Sequence, residues 1–251
     1  MKNKKNVFYF GNKKADGNGK MKEVLGGKGA GLAEMTEIGI NVPPGFTIST
    51  NVCGMFYQNK KQTPANITKE IRTNLVKLEK MTKKGFGDIK NPLLVSVRSG
   101  AMFSMPGMMD TILNLGLNDK TVAGLAKKTK NPRFAWDAYR RFIQMFSDVV
   151  LNVSKDLFEE KLEELKRKKK VKHDIELNEI ALKSLVQDYK KLVKSKTKKS
   201  FPQDPIDQLV KAINAVFLSW NNKRAIFYRK KYGISSDIGT GVTVQSMVFG
   251  N

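Results

Sequence analysis

A chain of 251 residues, 40% hydrophobic and 27% charged, is large enough for a sizeable core, as one domain or two lobes. It has no apolar run that could span a bilayer and no signal peptide, since Val7–Phe10 is too short for a secretory core. Its single cysteine, Cys53, cannot form an internal disulfide and reads as a small packed side chain, so a reduced, cytoplasmic setting is expected. The net charge of +23 rests on lysine, with only 8 of 46 basic residues arginine; runs such as 167–170 and 194–199 lie among acids on apparent helix faces, which argues for a solvated surface over a dedicated nucleic-acid site.

The first informative segment is Val24–Met35, where Gly26, Gly27, Gly29 and Gly31 surround Lys28. A helix is predicted to follow, with Leu32, Met35 and Ile38 on its inner face and Gly39 as its stop. Glycines let a backbone approach a phosphate, and a helix start with a lysine adds oriented N–H groups and a mobile charge. This is not a Walker A loop, because Glu23 stands where a glycine is needed and Gly29 where Ser or Thr should follow the lysine. Nor is it a Rossmann fingerprint, since Leu32 and Glu34 occupy the third-glycine positions. Taken alone, the segment fits an anion cradle or a tight strand–helix packing turn.

After the Pro43-Pro44-Gly45 turn, Phe46–Ser49 reads as a strand, and Asn66–Met81 as a helix with Ile67, Ile71, Leu75 and Leu78 inward. Leu93–Val97 is a buried-type strand that delivers Arg98 to its end, followed by Ser99, Gly100 and Ala101. The loop beyond it carries Met102, Met105, Met108 and Met109, a polarizable surface suited to a flat heterocycle, beside an arginine and glycine-freed amides suited to an anion. A nucleotide site and a core arginine ion pair among core methionines both fit these residues.

From about Asn118 to Ser200 only helical periodicity appears. Asn131 caps and Pro132 starts a helix carrying Phe134, Ala138, Phe142, Met145 and Val149; Ser154 opens another with Leu157, Phe158, Leu162 and Leu165; a third spans about 178–193. Asp204 caps a helix begun by Pro205, with Ile206, Leu209, Ile213, Val216 and Trp220 inward, and a shorter helix ends at Gly233. Gly241–Phe249 alternates as a strand and stops at the turn signal Gly250-Asn251. Left unpaired, such a strand would invite aggregation; pairing with an earlier strand is the other reading. The shift from mixed to helical pattern argues for a helical insert in an α/β lobe.

The glycine–lysine segment and the Ser-Val-Arg-Ser-Gly-Ala and Ser-Met-Pro-Gly-Met-Met-Asp run, in this order, resemble the N-terminal nucleotide-binding domain of the pyruvate, phosphate dikinase family. The resemblance extends through residues 42–50, 131–150, 201–207, 215–228 and 239–251, nearly the whole chain. It implies an α+β fold, the N-terminal lobe of an ATP-grasp domain with a large helical insert. The implied divisions are an α/β lobe over 1–117, the insert over 118–203, and a return to the lobe over 204–251. The family enzyme converts ATP, phosphate and pyruvate to AMP, diphosphate and phosphoenolpyruvate through a phosphohistidine. The resemblance assigns Lys28 and Arg98 to ATP phosphates and places Gly107 in the loop over the nucleotide. Met109 and Asp110 complete the candidate nucleotide-binding set, Asp110 as the weaker member that could simply brace the loop. It implies truncation, with the Mg²⁺ ligands, the second lobe, the phosphocarrier histidine domain and the pyruvate barrel downstream. No catalytic residue or metal ligand is then expected within this chain, and the full-length protein is expected to be a homodimer. His173, the only histidine, has no family motif around it, and Met102 and Phe103 replace residues that are often small or basic. The alternative class is a basic, non-enzymatic protein that holds RNA or another polyanion.

Overall fold

The computed structural model describes residues 5–249 and divides into two units, one comprising residues up to 84, 95–111 and 210 onward, the other 85–94 and 112–209. The basic Met1–Lys4 opening and the Gly250-Asn251 turn signal lie outside the described residues. In chain order the elements are β1 (Val7–Gly11), β2 (Lys14–Ala15), α1 (Lys22–Glu37), β3 (Gly45–Ile48), α2 (Asn51–Gln58), α3 (Ala65–Thr82), β4 (Val95–Gly100) and β5 (Thr111–Leu115). Then follow α4 (Thr121–Thr129), α5 (Pro132–Leu151), α6 (Lys155–Lys169), α7 (Glu179–Thr197), α8 (Pro205–Ser219), α9 (Lys223–Lys231) and β6 (Gly241–Ser246). The molecule is thus a mixed α+β structure.

In the first unit the strands run in the order β2-β1-β3-β6-β4, with antiparallel pairing throughout. The last strand is therefore central, not unpaired: β6 bonds β3 on one side and β4 on the other, with Val242, Thr243 and Val244 fully buried. Alternation disguises this burial because Thr243 faces Thr47 across β3, their hydroxyl oxygens 3.4 Å apart, so each satisfies the other inside the core.

The inner face of α1 also differs from expectation. Met35 and Ile38 are exposed and Leu32 is half-buried, whereas Leu25, Gly29, Ala30, Ala33 and Thr36 point inward. The helix lies too close to the sheet for large side chains: a Cβ on Gly29 would sit 2.8 Å from Thr47 Cγ2. On α3 the expected Ile67, Ile71, Leu75 and Leu78 are all buried.

The second unit is largely helical. The predicted cap Asn131 accepts from Phe134 N at 3.0 Å; Ser154 and Asn178, expected as the starts of the next two helices, also cap them, accepting from Asp156 N at 3.3 Å and Ala181 N at 3.0 Å. The core of this unit stacks Phe142, Phe146 and Phe201, with Phe158 edge-on to Tyr189. On α5, Ala138 and Phe142 are buried, while Phe134, Met145 and Val149 are half-buried because Ala135, Tyr139 and Phe146 take the innermost positions. The same helix buries Arg140, which donates to Asp137 at 2.5 Å and to Asp174 at 3.2 Å. Tyr139 is held protonated far up the pH scale, first by burial, and donates to Asp119 at 2.9 Å.

Candidate functional site

The candidate site forms where α1 starts against the end of β4. The helix is kinked at Gly26, which adopts φ +69 and ψ 169, a conformation open essentially to glycine alone. A Cβ there would fall 1.6 Å from the Gly100 carbonyl oxygen. The next residue, Gly27, donates its N–H to the Ala101 carbonyl at 2.9 Å. The helix does not follow the glycines as expected but begins before them, at Lys22, and Gly26 and Gly27 fasten its kink to the strand end.

That contact fixes Lys28. Register places Phe8, Thr47, Thr243 and Arg98 in one row across β1, β3, β6 and β4, so they share a sheet face. Gly29 packs on Thr47 of this row, which brings Lys28 into electrostatic contact with Arg98. Although Lys28 is exposed overall, its ammonium is held below the ordinary lysine range, first by desolvation and then by the Arg98 charge. Among the described residues no carboxylate pairs with either cation. The buried ion pair offered as one explanation of Arg98 is absent there.

Lys28 opens onto a cleft of about 580 Å³. Gly27, Ser99 and Gly100 form part of its wall, and Met102, Met105, Gly107 and Met109 form another. Arg98, Met108 and Asp110 do not line it. Gly107 has φ +72 and open space around it. The Asp110 carboxylate accepts from Arg224 Nη2 at 3.1 Å and its N–H donates to Ser219 Oγ at 3.3 Å, so it ties the loop down. Asn222 does the same for Met108, donating to its carbonyl at 2.9 Å. Ser219, Asn222 and Arg224 were missed by reasoning from motifs; they lie at the α8–α9 corner, more than 100 residues along the chain, and nothing in their spacing signals the loop.

No carboxylate, histidine or cysteine lines the cleft, and among the described residues no group of three or more His, Cys, Asp or Glu is placed to hold a metal ion. The residues present therefore do not fit a divalent cation. His173 lies apart, capping a 3-10 turn in the second unit through reciprocal bonds with Glu176. Cys53 is buried, and burial pushes its thiol up out of the reactive range. Among the described residues no helix is long and apolar enough to cross a membrane.

Comparison with known proteins gives a family match and a set of relatives. The family model described as "Pyruvate phosphate dikinase, AMP/ATP-binding domain" matches residues 22–84 and 59–251. The chain is 53% identical over 237 residues to the pyruvate, phosphate dikinase of Clostridium symbiosum, covering 94% of this chain and 27% of that protein. It is 48% identical over 248 residues to that of Rickettsia bellii, covering 99% and 28%. With the chloroplastic pyruvate, phosphate dikinase 1 of Zea mays it shares 51% over 248 residues, covering 99% and 26%. The chain thus spans about a quarter of the length of these relatives.

Proposed function

The chain belongs to the pyruvate phosphate dikinase AMP/ATP-binding domain family, and we propose from that premise that the cleft under the methionine loop binds ATP and AMP as one lobe of an ATP-grasp site. The supporting observation is the unpaired cation couple: Lys28 and Arg98 lie together, with no carboxylate partner among the described residues, where α1 meets β4. Two like charges in a shared, partly desolvated place favour an anion that neutralises both. Arg98 offers a planar fork for phosphate oxygens and Lys28 a mobile point charge. Met102, Met105 and Met109 supply an apolar wall, and Gly107 leaves the loop open to close approach by the ligand. Asp110 braces the loop and does not touch the ligand.

In a protein of the relatives' full length, this lobe would serve the conversion of ATP, phosphate and pyruvate to AMP, diphosphate and phosphoenolpyruvate. Phosphoryl transfer requires metal and cations around the moving group. Lys28 and Arg98 would supply the cations, and Mg²⁺ would be held by residues outside this cleft, as would the phosphocarrier histidine. A cytoplasmic homodimer is the assembly proposed for that longer protein.

The test is ATP titration of the 251-residue chain followed by NMR. An open cleft with Lys28 on its wall, Arg98 beside that lysine and no metal ligand should bind in the millimolar range, about −4 kcal/mol. Lys28→Ala should abolish the shifts without unfolding the protein, and the chain alone should form no AMP from ATP, phosphate and pyruvate. Steeply salt-dependent RNA binding, with no preference for nucleotides and no effect of Lys28→Ala, would refute the proposal in favour of a polyanion binder.

A further inference from the structure

The methionine loop is tied at its start to α1, through the Gly27–Ala101 bond, and farther along to the α8–α9 corner. The Asn222 side chain does two things at once: Oδ1 accepts from Ala225 N at 2.7 Å, capping α9, and Nδ2 donates to the Met108 carbonyl at 2.9 Å. Two further ties reach Asp110, from Ser219 at 3.3 Å and from Arg224 at 3.1 Å. Arg224 is 62% exposed, so its ion pair contributes little. Tyr228 adds an exposed bond from its hydroxyl to the Ser104 carbonyl at 3.4 Å; the Asn222 bond is the shortest of these four and is half-buried.

The corner is itself rigid. Arg229 is almost fully buried, stacks 4.0 Å over the Trp220 ring, and donates to the Trp220 carbonyl and to Asn221 Oδ1. A guanidinium locked on the end of α8 fixes the Trp220-Asn221-Asn222 turn, and Asn222 passes that rigidity to Met108. The neighbouring residues Gly107 and Met109 are the ones that face the cleft.

Resting on the nucleotide reading above, we propose that Asn222 is a positioning residue for that site: it sets the placement of Gly107 and Met109 over the cleft and thereby the affinity for nucleotide. Asn222 does not touch the ligand; it acts through the Met108 carbonyl.

Asn222→Ser and Asn222→Thr separate the two roles, because both residues cap a helix well but neither can reach Met108. ATP titration by NMR should show both variants binding about threefold to tenfold more weakly than wild type, the loss of one net hydrogen bond's worth of preorganisation. Melting temperatures should stay within about 2 °C of wild type, and amide exchange at 107–110 should quicken. A merely structural asparagine would move the melting temperature and leave affinity alone. If wild type binds ATP, Lys28→Ala abolishes that binding, and both Asn222 variants bind as tightly as wild type, the positioning role is overturned while the nucleotide reading stands. If wild type binds no ATP, both are overturned.

Discussion

Gly26→Ala should be among the most damaging single-methyl additions in this chain. The residue sits at φ +69 and ψ 169 inside a kinked helix, and its Cβ would fall 1.6 Å from the Gly100 oxygen and 2.5 Å from the Gly100 carbon. Holding an L-residue in that backbone region costs roughly 1–3 kcal/mol. The clash is with backbone of β4, next to central strand β6, so relief requires moving the helix start or the strand, another 1–3 kcal/mol or so. Together about 4 kcal/mol is expected, a large share of the roughly 5–15 kcal/mol that holds a domain folded. Gly31→Ala provides the control five residues along the same helix. Its Cβ would meet nothing within 4 Å, so the better helix former should stabilise by about 0.5–1 kcal/mol. Urea unfolding of the two variants followed by circular dichroism measures both. A Gly26→Ala variant within about 1 kcal/mol of wild type, or two variants equally destabilised, would show that the helix start is not packed on Gly100 as described.

Three further outcomes follow from the cation pair. Lys28 loses its proton at a lower pH than an ordinary lysine, and anion binding favours the charged form; ATP binding should therefore take up protons at alkaline pH and weaken as pH rises through the depressed pKa. For the free chain the sign is opposite: between the folded and unfolded lysine values the unfolded state holds more protons, so stability should rise with pH there. Calorimetry in two buffers of different ionisation enthalpy reads the uptake, and Lys28→Arg should remove it. Arg98→Met should leave the melting temperature unchanged or higher, since it deletes a half-buried charge without a carboxylate partner, while weakening ATP at least tenfold; a lowered melting temperature would mean that Arg98 has a structural role instead.

Much of the fold was legible because local chemistry and tertiary structure agreed. Asn131 caps the helix it should, Ser154 and Asn178 stand where helices were expected to begin, and the α3 stripe of Ile67, Ile71, Leu75 and Leu78 is the buried one. Legibility failed where tertiary distance overrode size. Helix α1 was assigned its face by its largest apolar side chains, yet it buries Gly29, Ala30 and Ala33 because it lies close on Thr47. Strand β6 hides its central position for a related reason: Thr243 looks solvent-facing until Thr47 is placed opposite it. At the candidate site, glycines and methionines point to Lys28 and the loop, whereas nothing in the sequence points to the Asn222 contact. Its bond to Met108 spans 114 positions in sequence, and an asparagine before a helix has its ordinary explanation as a cap.

The two cations show why the glycines and the site belong to one argument. Tight strand–helix packing and anion cradling first stood as competing accounts of Gly26, Gly27 and Gly29. In the folded chain the packing is observed, and the proposed cradle follows from it. Gly26 and Gly27 fasten the helix start to Gly100 and Ala101, and Gly29 seats it on Thr47. Lys28 is thereby held beside Arg98, where desolvation and the neighbouring charge both disfavour its charged form. A fold selected for stability alone would place a carboxylate there, or exchange one cation for an apolar residue. That two unpartnered cations meet beside a cleft walled by the methionine loop is the physical reason for proposing the pair as a phosphate site.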